Sequence, residues 1–179
     1  RRPQGTRGPR PPGSSRLSAR AAATRALMAV EEGAYGSLAL AEALRTGDVA
    51  DPRDRGLATE LVYGVLRWRR RVDAALRPHV KQGFDQLEPV ARELLRVGAY
   101  QILFLDRIPA PIAVSATQDA ARNVGAGRLT GLLNGVLRRV VEGGESLPEG
   151  DDDAAIAHRT SLPGWIVAAL RQAYGDAGL

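Results

Sequence analysis

The sequence predicts an all-α protein, a bundle of about seven helices with a further linker helix at its C-terminal end. Apolar residues recur at the three- and four-residue spacing of helix faces over most of residues 17–140. Proline and glycine fall between these periodic segments, at positions where helices begin and end. A chain of 179 residues is long enough for one domain with a buried core and too short for a second full domain.

The first two predicted helices are separated by a glycine-containing turn. The first spans residues 17–30, and Ser18 is placed to cap its N-terminus. Ser37 is expected to cap the second helix, which Gly47 ends. Both helices present apolar residues, mostly alanine and leucine, on one side.

Asp51 and Pro52 open the third predicted helix. Its apolar residues share one face because they follow one another at steps of three or four: Leu57, Leu61, Val65 and Trp68. We expect a separate fourth helix after Arg71, with Val72 and Leu76 directed inward.

Residues 87–140 are predicted to form the core around which the rest of the chain is arranged. They comprise three consecutive apolar helices, joined at residues 107–109 and 125–127. The last helix carries one broad apolar stripe, formed by Leu129, Leu132, Leu133, Val136, Leu137 and Val140.

The composition divides the chain into four parts. Residues 1–15 mix Arg with Pro, Gly and Ser, which predicts a disordered leader whose arginines are either a phosphate-seeking arm or inert. Residues 16–142 form the helical domain. Residues 143–161 contain paired glycines and three consecutive aspartates, and are predicted to be an acidic flexible linker. Residues 162–179 begin a further helix.

Several functions are excluded by what the sequence lacks. The absence of cysteine removes disulfides, thiolate metal sites and cysteine nucleophiles. The two histidines, His79 and His158, have no Asp or Glu at helical ligand spacing, so no metal site is expected. No run of about 18 apolar residues and no apolar signal core is present, so we expect a cytoplasmic protein without a membrane partner.

Charge is unevenly distributed along the chain. Residues 1–141 hold 23 Arg or Lys against 13 Asp or Glu, whereas residues 142–179 hold 2 against 7. A basic body indicates a polyanion, such as nucleic acid, as partner. The alternative is a bias in composition, since 24 of the 25 basic residues are Arg and alanine is abundant.

Three blocks follow one another in a familiar order: Val97 to Phe104 (VGAYQILF), Arg107-Ile108-Pro109, and Leu132 to Arg138 (LLNGVLR). With them the chain resembles the NusB-like helical domain, and more narrowly the N-terminal RNA-binding domain of the RsmB/Sun family of rRNA cytosine-C5 methyltransferases. The resemblance covers about residues 16–175 and implies a NusB-like helical bundle. It departs at Pro111 and Ala116, where relatives commonly have a His and a Glu, so no role of that polar pair is expected here.

The resemblance implies that arginines at the start of the first helix contribute to an RNA-binding surface, which selects Arg16 and Arg20. A second candidate is the basic run around Trp68, formed by Arg67, Arg69, Arg70 and Arg71. Either these arginines bind phosphates while the indole stacks on an unpaired base, or they are solvated at a helix end while Trp68 packs in the core. The sequence leaves both interpretations open.

The last stretch, residues 162–175, is an amphipathic segment begun by proline and ended by glycine, and little chain remains to cover its apolar side. In the methyltransferase family a Pro-x-Trp followed by Tyr, here Trp165 and Tyr174, lies between the NusB-like domain and the catalytic domain. The resemblance therefore implies the front portion of a larger enzyme.

Methylation of cytosine at C5 needs a thiolate that attacks C6 and S-adenosylmethionine as methyl donor. With no cysteine and no glycine-rich strand-turn-helix, this chain is expected to be inactive by itself, and the cofactor is expected in the absent methyltransferase domain. We expect the chain to bind small-subunit rRNA and to position it for its own C-terminal methyltransferase domain.

Two other interpretations belong to different classes of protein. One is a stand-alone NusB-type transcription antitermination factor that binds RNA and a ribosomal protein. The other is a helical docking domain that packs on a catalytic partner and does not contact RNA. RNA binding that persists after Arg69, Arg70 and Arg71 are neutralised together would favour the docking domain.

Overall fold

The computed structural model describes residues 16–145 and 147–176, and this part of the chain consists of eight α-helices and no strand. The helices are α1 (Ala19–Glu31), α2 (Gly36–Thr46), α3 (Pro52–Leu76), α4 (Pro89–Phe104), α5 (Ala110–Asn123), α6 (Thr130–Gly143), α7 (Asp153–Thr160) and α8 (Gly164–Tyr174). The prediction of an all-α bundle is confirmed. The predicted leader, residues 1–15, lies outside the described residues.

Short polar side chains set several helix starts. Ser18 caps α1, since its hydroxyl accepts from the N–H of Ala21 at 3.2 Å. Asp51 caps α3 in the same way, accepting from the N–H of Arg53 at 2.7 Å. The predicted Ser37 cap is wrong, because α2 begins at Gly36 and its N-cap is Tyr35, two residues earlier.

The third and fourth predicted helices correspond to the two halves of α3, which meet at a kink three residues before the predicted break after Arg71. The backbone departs from helical geometry at Trp68 (φ −103°, ψ 18°) and then continues as helix to Leu76. No proline or glycine lies between these positions to end the helix. The N–H of Arg70 bonds instead to the hydroxyl of Ser161 at 3.1 Å. The kink is therefore the point where the C-terminal helices contact α3.

The central element is α4, which contacts α1, α3, α5 and α6. Nearly every residue between Ala91 and Gln101 is buried. The apolar stripe of α6 packs on it, with Leu133 and Leu137 fully buried. This arrangement agrees with the expectation that residues 87–140 form the core.

The crossing of α3 and α4 depends on a glycine. A Cβ placed on Gly64 would overlap the phenol ring of Tyr100. We expect Gly64→Ala to lower the free energy of unfolding by about 1–3 kcal/mol, because the ring has to move out of a packed core. Urea denaturation followed by circular dichroism measures this change.

Gly56→Ala provides the matched control on the same helix. Gly56 has no atom within 4 Å of an added Cβ, and alanine favours helix over glycine by roughly 1 kcal/mol. Its free energy of unfolding should rise or stay unchanged. If both variants shift stability in the same direction, the close approach of Tyr100 is not the cause.

A set of charged side chains, of which Glu93 and Arg96 are buried and the others partly buried, lies where α1, α3 and α4 meet. We call it the charged network: Glu31, Arg69, Asp73, Arg92, Glu93 and Arg96. At its centre, Arg96 donates to both carboxylate oxygens of Asp73 at 2.7 and 2.9 Å, and to Glu31 at 3.1 Å. Burial disfavours its charge, but the hydrogen bonds to Asp73 and the charge of Glu93 raise the pKa of Arg96 above its ordinary value. Burial raises the pKa of Glu93. The positive charge of Arg96 opposes this increase.

The predicted flexible linker, residues 143–161, contains a helix, α7. Asp152 caps it, and Ile156 is buried against Val167 of α8 in a small second core. Arg71 of α3 pairs with Glu145 and donates to the carbonyl of Arg159 at 3.3 Å. The aspartate run suggested a linker, but the short apolar segment after it is enough for a helix that docks on α3.

Candidate nucleic-acid interface

One face of α3 carries a row of exposed residues. Successive members are three or four positions apart, which keeps them on one helix face. We call this row the α3 stripe, and it consists of Arg53, Gly56, Glu60, Tyr63, Arg67 and Arg70. At about 1.5 Å of rise per residue, it extends for roughly 21 Å between Arg53 and Arg67.

A cleft of about 700 Å³ lies beside the N-terminal end of the α3 stripe. Its walls come from α1, α3 and the segment that joins α4 to α5. We call it the basic cleft, because three guanidinium groups line it, those of Arg20, Arg53 and Arg107, against the single carboxylate of Glu60. This excess of positive charge suits an anionic ligand.

Arg20 is fixed in the basic cleft by the core. Its Nε donates to Oε1 of the fully buried Gln101 at 2.6 Å. The amide nitrogen of Gln101 in turn donates to the carbonyl of Val97 at 2.8 Å. Burial lowers the pKa of Arg20, and the charge of Asp54 opposes this effect. The guanidinium is thus held by one edge, and its other N–H groups can donate to a ligand.

The basic cleft and the α3 stripe meet at Glu60. The hydroxyl of the buried Tyr100 donates to Oε1 of Glu60 at 2.7 Å. Burial, together with this hydrogen bond, raises the pKa of Tyr100 to about 12, so the hydroxyl remains a donor at neutral pH. The positive charges of Arg67 and Arg107 act in the opposite direction on this pKa, which places both arginines near the pair.

Four arginines of this surface are available to a ligand. Over residues 16–145 and 147–176, the exposed side chains of Arg53, Arg67, Arg70 and Arg107 make no ion pair and no hydrogen bond. A guanidinium presents five N–H donors in a planar fork that matches a phosphate. The surface can therefore bind several phosphates without breaking internal contacts.

The structure separates the four predicted arginines around Trp68. Arg67 and Arg70 lie exposed on the α3 stripe. Arg69 is directed to the charged network, where its Nη2 lies 2.6 Å from Oε1 of Glu31. Arg71 pairs with Glu145, as described above. Arg69 and Arg71 therefore hold the fold together, because each is already paired with a carboxylate.

Trp68 packs in the molecule. Its ring stacks on Phe104 with 5.2 Å between centroids and 21° between planes. The guanidinium of Arg71 lies over it at 5.4 Å. Of the two interpretations left open by the sequence, the structure supports the packed indole.

The two predicted arginines at the start of the domain also differ. Arg20 lines the basic cleft, whereas Arg16 precedes α1 and donates to the carbonyl of Asp48 at 3.0 Å. Arg16 borders a second groove that also contains Asp119 and Arg122. Its side chain is about half exposed, at 46%.

Sequence reasoning missed three residues of this surface, Arg53, Tyr63 and Arg107. The spacing contained a usable signal, since Arg53 and Arg67 are fourteen positions apart and therefore lie on the same face of a helix. Arg107 stands in one of the blocks that carry the family resemblance. The prediction selected the arginines around Trp68 because they are closer together in the sequence than Arg53 and Arg107.

Within residues 16–145 and 147–176, no group of three or more His, Cys, Asp or Glu side chains is arranged to hold a metal ion. No helix in the same part of the chain combines the length and apolar character needed to cross a membrane.

Comparisons with known proteins agree on one family. The model of the NusB family matches residues 17–142. The chain is 38% identical to ribosomal RNA small subunit methyltransferase B of Pseudomonas putida, covering 87% of this chain and 35% of that protein. It is 32% identical to the probable ribosomal RNA small subunit methyltransferase B of Bacillus subtilis, in a match that covers 89% of this chain and 36% of that protein. The chain thus spans about a third of the length of these curated relatives.

A solved structure shares the architecture. The crystal structure of PH0851 superposes with a TM-score of 0.70 over 89% of this chain and 36% of that one, at 19% sequence identity. At this identity the likeness concerns the fold.

Proposed function

Since the chain belongs to the NusB family, we propose that its basic cleft and α3 stripe bind RNA. The family resemblance seen in the sequence is confirmed, because the matched residues, 17–142, contain all three blocks that carried it. We further propose that the RNA is small-subunit ribosomal RNA, which the domain positions for a methyltransferase domain. The chain would carry out this role in the cytoplasm.

One observation carries the proposal. Arg53, Arg67 and Arg107 lie around the basic cleft and the adjoining stripe without an ion-pair partner among the described residues. Arg20, which is held by Gln101 and influenced by the charge of Asp54, lines the same cleft. Unpaired guanidinium groups on one surface favour binding of a phosphate backbone, which provides affinity more than sequence choice.

The link to a methyltransferase domain rests on the relatives and on α8. The relatives are named as methyltransferases, and the match spans only 36% and 35% of their length. Trp165 and Tyr174 on α8 are 73% and 70% exposed, which suits a contact with a following domain. The described residues form helices only and do not supply a strand-turn-helix for S-adenosylmethionine, so we place the cofactor in that domain.

The alternative is a stand-alone antitermination factor that binds RNA and a ribosomal protein. The length of the sequence matches favours a domain of a methyltransferase over an antitermination factor. The family model ends at residue 142, whereas a match to 89% of this chain has to extend past that residue into α7, wherever the match begins. The relatives named as methyltransferases therefore share sequence with the region of α7.

The test is RNA binding by this chain as a function of salt. Fluorescence anisotropy with a labelled fragment of small-subunit rRNA should give an affinity that falls steeply as salt rises. Four phosphate contacts predict a slope of roughly −3 in a plot of log affinity against log salt concentration. Absence of binding at low salt would contradict the proposal and favour a docking domain that does not contact RNA.

A further inference from the structure

Tyr63 lies in the middle of the α3 stripe with its ring in solvent. Its side chain is on the face of α3 opposite the buried Leu61 and Val65, and the residue is 45% exposed. Over the described part of the chain its ring takes no part in an aromatic pair or a cation–π contact. An exposed aromatic ring on a basic surface is a candidate platform for a nucleic-acid base.

The other aromatic side chains near α3 are already occupied. Trp68 and Tyr100 both stack on the ring of Phe104, and in each pair the ring centroids are 5.2 Å apart. The hydroxyl of Tyr100 is also held by Glu60. Of these rings only that of Tyr63 is presented to solvent beside the unpaired arginines.

The charges along the α3 stripe favour a base at its centre and phosphates at its ends. Arg53 lies near one end and Arg67 lies one turn past Tyr63, both without carboxylate partners. Glu60 lies one turn before Tyr63, and its negative charge repels a phosphate at that point. A carboxylate does accept hydrogen bonds from the exocyclic amino group of a base.

We propose that Tyr63 stacks on an unpaired base and that this surface therefore selects single-stranded RNA over duplex RNA. The inference rests on the proposed function, since it assigns a substrate class to the same surface. Bases inside a duplex present only their edges in the grooves, so a tyrosine on a convex helix face cannot reach their planar faces. The arginines contact phosphates in either form of RNA, whereas the ring contributes only to the single strand.

The experiment compares two probes and three variants of this chain. The probes are a labelled twelve-nucleotide single strand of mixed sequence and a blunt duplex of the same length, both measured by fluorescence anisotropy. Tyr63→Leu should weaken single-strand binding about 5- to 150-fold, the range that corresponds to one base stack, and should leave duplex binding unchanged. Tyr63→Phe keeps the ring and should bind like the wild type.

Tyr174→Leu is the matched control, because Tyr174 is an exposed tyrosine on α8 and not on the α3 stripe. It should leave both affinities unchanged. The salt slope of Tyr63→Leu should equal that of the wild type, since no charge is removed.

Different results overturn different parts of the account. Unchanged single-strand binding by Tyr63→Leu, or an equal loss on the duplex, contradicts base stacking while leaving RNA binding by the arginines intact. A wild-type chain that binds neither probe at low salt contradicts the proposed function, and the inference fails with it.

Discussion

Replacing Arg96 with methionine should lower the free energy of unfolding by about 3–5 kcal/mol, a large fraction of the stability of a domain. Arg96 is 4% exposed and connects Asp73, Glu31 and Glu93 within the charged network. Without it the fully buried Glu93 keeps, among the described residues, only Arg69 as a cationic neighbour, at 3.6 Å. A buried carboxylate that loses its main partner costs more than the pair contributed, because most of its desolvation is no longer offset. Urea denaturation followed by circular dichroism measures the loss.

A second substitution distinguishes the orphaned charge from a simple packing defect. Glu93→Gln added to Arg96→Met removes the carboxylate that has lost its partner, so the double variant should regain part of the lost stability. Arg77→Met is the control, because Arg77 pairs with Asp85 on the surface, where both side chains are more than half exposed. Wild-type stability in Arg96→Met would show that the charged network does not stabilise the fold.

Replacing Arg53, Arg67 and Arg107 together with glutamine should weaken RNA binding by on the order of 100- to 1,000-fold. All three side chains are exposed and unpaired within the described residues, so the change should leave the fold intact. A hydrogen bond to a charged group contributes about 1.5–3 kcal/mol, and about 1.4 kcal/mol corresponds to tenfold in affinity. The measurement is anisotropy with the rRNA fragment at constant salt, with circular dichroism to verify the helix content.

The matched control removes the same number of positive charges elsewhere. Arg45, Arg77 and Arg128 are also exposed, and each is paired with a carboxylate on another part of the surface. Their replacement with glutamine should reduce affinity far less than replacement of Arg53, Arg67 and Arg107. Equal losses in the two triple variants would indicate a general charge effect, and the basic cleft would then have no special role.

The helical class and the core could be predicted from periodicity alone. Burial follows the apolar stripes closely, as in α6, where Leu133 and Leu137 are fully buried. The positions where helices begin and end were harder to predict from the sequence. The basic run after Trp68 looked like a helix end, and the backbone does leave helical geometry at Trp68, where the indole stacks on Phe104, before a second helical half follows. That contact joins residues far apart in sequence, so local spacing does not reveal it.

The same limit explains the partial success at the candidate site. A count of charges identifies arginine-rich segments, but it does not show which arginines meet a carboxylate after folding. Arg69 finds Glu31, which lies 38 residues before it, and Arg71 finds Glu145, which lies 74 residues after it. Arg67 and Arg70 lie in the same run and face solvent. Pairing between distant helices therefore decides which of the predicted arginines are available.

The most direct test of the account is a salt titration of the wild type and the Arg53, Arg67, Arg107 triple variant, measured side by side on the same rRNA fragment. If these arginines bind phosphates, the plot of log affinity against log salt concentration should become shallower in the variant by roughly 2 to 3. Parallel plots for the two proteins would mean that no phosphate contact was lost, and would contradict the assignment of RNA binding to this surface.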